Sequence, residues 1–142
     1  MSNQVNQLFN EILDENKQAV EQIGTYDHPL LILLKQSLQD QQSALRDLLP
    51  EFEATEQPQL SSFKNPCTHV YHANEVSMPF YESWKRAIGW MPDPSREIEK
   101  DLSRLMENMH HHLLEAAQQL ASEYGTQSVK YVIPTFYLPV TQ

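Results

Sequence analysis

Three consecutive histidines lie between two glutamates in the stretch ENMHHHLLEA, residues 107–116. Imidazole nitrogens and carboxylate oxygens are the ligands that zinc and iron accept in proteins. Glu107 and His110 have the Glu-x-x-His spacing with which helical bundles hold a di-iron centre. A second segment, HVYHANE, offers further histidines. The sequence thus allows a metal-binding helical bundle, di-iron or zinc, whose candidate ligands are His69, His72, Glu107, His110, His111 and Glu115.

The apolar residues around the histidine run predict which way each imidazole points. At about 100° per residue, eight residues after Ile98 share one face of a long helix: Leu102, Leu105, Met106, Met109, Leu113, Ala116, Leu120 and Tyr124. His111 falls opposite this face, while His110 and His112 flank it. Ligands of a bundle metal centre must project into the interior. We therefore expect a solvated pair of His111 with Glu115, with no metal and no cofactor.

The remaining chemical groups give little support for catalysis. Cys67 is the only cysteine and lies two residues from His69, but an activated thiolate needs a base in contact with it and a third group to orient that base. The three glycines, Gly24, Gly89 and Gly125, each follow a predicted helix. None is left for a phosphate-binding loop, a dinucleotide motif or a nucleophile elbow. No catalytic residue is predicted.

The charge of the chain limits its partners. The 142 residues carry 19 acidic and 10 basic side chains, a net charge of −9. This charge disfavours binding to nucleic acid or to an anionic membrane, although acidic mimicry of nucleic acid against a DNA-binding protein is a weaker hypothesis. The first residues, MSNQVNQLF, lack the pattern of a signal peptide, and the longest aliphatic run is LLILL. The sequence favours a cytoplasmic protein.

Helical periodicity and capping residues predict a mainly α fold, a small bundle-like domain of four helices. With their N-caps, the predicted helices cover about residues 3–23, 27–49, 77–88 and 93–124. A long loop, residues 50–66, follows the second helix, and residues 67–76 fit a helical turn or a strand equally well. The predicted helical domain comprises residues 1–128, and an extended tail, residues 129–142, belongs to that domain or to a dimer interface.

Two polar residues have predicted structural roles in these helices. Asn16 interrupts the apolar stripe of the first helix, so it is either a buried residue that fixes the register of a helix pair or a residue at a shallow point of the stripe. Asp27 precedes Pro29 and is predicted to cap the second helix.

The C-terminal segment, residues 129–140, is apolar or aromatic at eight of twelve positions. Pro134 and Pro139 favour an edge strand or an extended tail. Such a segment either packs back on its own bundle, with a short strand pairing to residues 68–72, or crosses to a second protein by strand addition or as a swapped arm. The predicted partner contacts are Tyr131, Ile133, Phe136, Tyr137 and Leu138.

Together these features predict a small, acidic, cytoplasmic helical protein without enzymatic activity. We expect it to act through protein–protein interaction, as a homodimer or with another protein, and not through nucleic acid or membrane. The metal-binding bundle is the alternative.

Overall fold

The computed structural model describes residues 2–133, which are mainly helical as predicted. Within these described residues, five α-helices and one 3-10 helix follow one another. They are α1 (Ser2–Ile23), α2 (Pro29–Ala54), α3 (Leu60–Ile88), the 3-10 helix (Pro94–Ile98), α4 (Glu99–Tyr124) and α5 (Thr126–Val132). Among residues 2–133, no helix combines the length and the apolar composition that a bilayer-spanning segment requires.

The four long helices pack as an antiparallel bundle. α2 lies between α1 and α3, and α4 lies between α3 and α1. α2 and α3 run in opposite directions. Ser37 of α2 contacts Ser77 of α3, whereas Gln41, one turn later in α2, contacts the earlier residue Val70 of α3. The same reversal relates α3 to α4, where the Tyr71 hydroxyl donates to the Leu113 carbonyl. Short connections between neighbouring helices favour this up-and-down order.

The core is formed by the apolar stripes that the sequence shows. In α4 the predicted stripe is buried from Leu102 to Leu120, and Tyr124 at its end is half-buried. At the end of the bundle where α2 gives way to α3, aromatic rings are in contact: the ring centroids of Phe52 and Phe63 are 4.8 Å apart, and those of Phe63 and Tyr124 are 5.4 Å apart. Aromatic packing of this kind adds to the free energy of area burial.

A layer of hydrogen-bonded polar side chains crosses the middle of this apolar core. Asn16 is fully buried, so the first of its two predicted roles fits its position. Its amide nitrogen donates to the Leu38 carbonyl at 2.9 Å and to Gln41 Oε1 at 2.7 Å, and its oxygen accepts from Gln42 Nε2 at 2.8 Å. Gln41 in turn donates to the Val70 carbonyl. The layer therefore joins α1, α2 and α3.

The predicted loop at residues 50–66 is wrong, because most of these residues are helical. α2 continues through Pro50 to Ala54 and α3 begins at Leu60, so that only residues 55–59 connect them. Residues 67–76, which fitted a helix or a strand, lie inside α3. Phe52 and Phe63 are buried one against the other, and this tertiary packing outweighs the helix-breaking tendency of the prolines.

The cap of α2 also differs from the prediction, since His28 takes the role expected for Asp27. His28 Nδ1 accepts a hydrogen bond from the Leu30 amide at 3.1 Å, and its Nε2 lies 3.4 Å from the Asp93 carboxylate. Asp93 itself accepts from the hydroxyl and the amide of Ser95. These hydrogen bonds, with a smaller effect of nearby His28, lower the pKa of Asp93. Asp93 thus caps the 3-10 helix that leads into α4.

The start of the C-terminal segment is helical, not extended. Residues 126–132 form α5, and Val129, Val132 and Ile133 are buried against the bundle. The Thr68 hydroxyl of α3 donates to the Val132 carbonyl. The predicted strand pairing with residues 68–72 is therefore wrong, because those residues belong to α3. Residues 134–142, which complete the predicted tail, lie outside the described residues.

Candidate functional site

The histidine run lies on the outer side of α4, as its helical positions predict. His111 is exposed and its Nε2 is 2.7 Å from the Glu115 carboxylate. His112 lies at the border with α1, where its Nδ1 is 2.7 Å from Glu15 and its Nε2 is 3.5 Å from Glu11. The His111 contact lies within α4 and, being exposed, is of modest energy. The His112 contacts join α4 to α1.

The candidate metal ligands do not come together. His110 contacts Asn74 of α3 at 3.3 Å, and Glu107 is exposed. His69 and His72 lie on the side of α3 that faces α2, so they do not approach α4. Within residues 2–133, no three side chains of His, Cys, Asp or Glu are grouped as metal ligands. The described part of the chain thus offers no ligand set for the metal-binding alternative.

Cys67 is placed as a core residue. Its side chain is fully buried, and desolvation raises the pKa of the thiol to about 12. The thiolate, which is the nucleophilic form, is therefore scarce at neutral pH. His69, by contrast, is exposed on the surface of α3, so this pair has no geometry for nucleophilic catalysis.

The aromatic side chains in the second half of α3 and in the turn after it differ in burial. Tyr81 and Trp84 are in the core, and Trp84 Nε1 donates to the Ser95 hydroxyl at 3.0 Å. Trp90, in the turn after α3, is 87% exposed, and the adjacent Met91 is exposed as well. The turn holds Trp90 outside the bundle because α3 ends at Ile88.

A concave surface lies between α2 and α3, and we call it the α2–α3 groove. It has a volume of about 380 Å³. Its deepest residues are small and buried: Ser37 and Ala44 of α2, and Ala73 of α3. The hydroxyls of Ser37 and Ser77 are 2.7 Å apart and bring the two helices together. Since small side chains cannot fill the space outside this contact, an open groove remains.

Charged and titratable side chains form the two rims of the α2–α3 groove. Asp40 and Asp47 line it from α2, and His69 and His72 line it from α3. Within the part of the chain that is described, none of these four side chains has a hydrogen-bond or ion-pair partner. The rims therefore offer carboxylate and imidazole groups to donors such as hydroxyls and amides.

Exposed apolar side chains accompany the groove. Val76 lines it and is 37% exposed, and Leu33, one helical turn before Ser37 on α2, is 41% exposed. Binding surfaces in proteins typically combine apolar contact area with a few polar groups that fix the orientation of the ligand. The α2–α3 groove has both kinds of group, and these could contact a bound segment of protein.

No known protein family, curated protein or solved structure matches this chain. The candidate function consequently depends on the groove and on the chain segment that begins beside it.

Two of the predicted partner contacts, Tyr131 and Ile133, lie within the described residues and differ in burial. Ile133 is 2% exposed and belongs to the core of its own chain, whereas Tyr131 on α5 is 79% exposed. Phe136, Tyr137 and Leu138 lie outside the described residues. Sequence reasoning missed the α2–α3 groove. The available signal was a set of small residues, Ser37, Ala44, Ala73 and Ser77. This set indicates a groove only once α3 is known to begin at Leu60, so that all four residues lie on two neighbouring helices.

Proposed function

We propose that this protein is non-enzymatic and acts by binding protein, as a homodimer in which residues 134–142 contact a second copy. These residues are called the C-terminal arm below. The observation that supports the proposal is the attachment of α5 to the bundle immediately before the arm. Val129, Val132 and Ile133 anchor α5 in the core, so the apolar sequence of the arm starts from a fixed point on the bundle surface.

The composition of the arm supports a role in association. Its sequence, PTFYLPVTQ, contains two aromatic residues and no charged side chain. Exposed apolar segments associate because burial removes their surface from water. Tyr131, which precedes the arm and is largely exposed, adds an aromatic side chain of a type enriched in protein interfaces.

A cytoplasmic location is part of the proposal. The one cysteine, Cys67, is a buried free thiol in the core, which fits a reducing compartment. The metal-binding alternative is not proposed, because the described residues bring no ligands together.

Charge introduced into the arm tests the homodimer. We expect the intact chain to sediment at twice its mass of 16.5 kDa. A variant that combines Phe136→Asp with Leu138→Asp is expected to sediment as a single chain, because carboxylates in an apolar interface are costly to desolvate. Sedimentation velocity at several concentrations is the measurement.

The matched control combines Thr141→Asp with Gln142→Asp, which adds the same charge to the same arm without removing an apolar side chain. We expect this control to keep the mass of the intact chain. Circular dichroism establishes that each variant is folded. Equal masses for the intact chain and for the Phe136→Asp, Leu138→Asp variant would contradict the proposal.

A further inference from the structure

We infer that the α2–α3 groove is the receiving site for the C-terminal arm of a second copy. This inference rests on the proposed function and assigns the surface that the arm binds. It is carried by three features of residues 2–133: the position at which the arm begins, the lining of the groove, and the exposed apolar residues on the same face.

The arm begins beside α3, about one helical turn from the α3 side of the groove. The Thr68 hydroxyl donates to the Val132 carbonyl, so the end of α5 lies against Thr68. His72, which lines the groove, follows Thr68 by one helical turn on the same side of α3. A two-fold pair that places these regions together would set the start of each arm near the groove of the other copy.

The length of the arm is sufficient for this exchange. Nine extended residues span about 30 Å. From Thr68 to Val76, where the groove lining on α3 ends, the distance along the helix is about 12 Å. The arm can thus cover the groove of a partner with residues to spare for the crossing.

The lining of the groove complements an uncharged aromatic segment. Ala44, Ala73 and Val76 offer apolar contacts. The hydroxyl of Tyr137 would need a hydrogen-bond partner on burial, and Asp40 and Asp47 on the rim provide acceptors. Because the arm carries no acidic side chain, these carboxylates do not repel it.

Pairing through this face also covers apolar surface that is exposed in one chain. Leu33 and Val76 are the two exposed large apolar residues that accompany the groove. A face-to-face pair removes both from water in each copy, in addition to the surface of the arm. Burial of this kind is the main favourable contribution to protein association.

A mixing experiment with full-length variants tests the inference. The groove variant, Val76→Lys, has an intact arm, and the arm variant, Phe136→Asp with Leu138→Asp, has an intact groove. We expect each variant alone to sediment as a single chain. An equimolar mixture is expected to recover a pair, with an association constant at least about tenfold lower than that of the intact protein, because one of the two arm contacts remains.

Two further variants make the result specific. Ser43→Lys adds a charge from the α2 side of the groove at an exposed position, so it repeats the test if Val76→Lys fails to fold. Met91→Lys replaces an exposed apolar residue outside the groove and is expected to leave the mass of the intact protein unchanged.

The possible contrary results are distinct. If the arm variant is a single chain but both groove variants remain paired, the arm binds elsewhere and the inference fails while the proposed function stands. If both variants are single chains and their mixture recovers no pair, exchange between copies is contradicted. If the arm variant remains paired, the proposed function itself fails.

Discussion

Replacement of Asn16 by alanine is expected to lower the free energy of unfolding by about 3 kcal/mol, because it removes the centre of a buried hydrogen-bond network. Asn16 is fully buried and connects to Leu38, Gln41 and Gln42. Without it, the amide groups of the two glutamines lose partners in a place that water does not reach. Each buried polar group left unsatisfied costs roughly 1–3 kcal/mol.

The control for this replacement is Asn10→Ala on the same helix. Asn10 is exposed, and its side-chain amide nitrogen donates to the backbone carbonyl of Asn6 one turn earlier. We expect its replacement to change the free energy of unfolding by less than about 0.5 kcal/mol. Urea denaturation of both variants measures the difference, and equal effects at the two positions would refute a structural role for the polar layer.

Replacement of Ile133 by alanine is expected to lower the free energy of unfolding by about 2–3 kcal/mol. The side chain of Ile133 is buried and anchors the end of α5 in the core. Its backbone amide also donates to the Val129 carbonyl. The loss combines the transfer free energy of the removed methyl groups with the cavity that they leave.

Tyr131→Ala on α5 is the matched control. Because Tyr131 is largely exposed, we expect this replacement to change the free energy of unfolding by less than about 0.5 kcal/mol. Both replacements are to be measured in full-length protein that also carries Phe136→Asp and Leu138→Asp, so that association does not contribute to stability. A stability loss for Tyr131→Ala as large as that for Ile133→Ala would contradict the assignment of Ile133 to the core.

The parts of the fold that were predictable have strong local signals. α4 has an apolar stripe over seven turns, and Asp93, Pro94 and Gly125 mark its approach and its end. The outward direction of His111 followed from that stripe alone. A long amphipathic helix depends little on its neighbours for its periodicity, which is why sequence and structure agree there.

The parts that were mispredicted depend on tertiary contacts. Pro50 and Pro66 lie at the two ends of the predicted loop, residues 50–66, yet each lies inside a helix. Phe52 packs against Phe63 between these prolines, and no local pattern reveals this contact between two helices. In α5, the β-branched and aromatic residues favoured an extended chain, but burial of Val129 and Val132 stabilises a short helix instead.

The candidate site was accessible to sequence reasoning only in part. Tyr131 and the arm are recognised from composition, because an apolar segment after the last long helix is conspicuous. The α2–α3 groove requires the register between two helices, which is set by contacts such as Ser37 with Ser77. Without that register, the sequence gives no reason to distinguish its rim residues, Asp40 and His72, from other surface residues.

The central claim is that the C-terminal arm of one copy lies in the groove of another, and photo-cross-linking tests it most directly. The photoreactive residue p-benzoylphenylalanine replaces Phe136 in full-length protein, and chains with natural nitrogen are mixed with ¹⁵N-labelled chains and allowed to exchange. We expect mass spectrometry to find cross-links from position 136 to residues 69–76 that join one labelled and one unlabelled chain. Cross-links that join only chains with the same label, or that reach other surfaces, would contradict the claim.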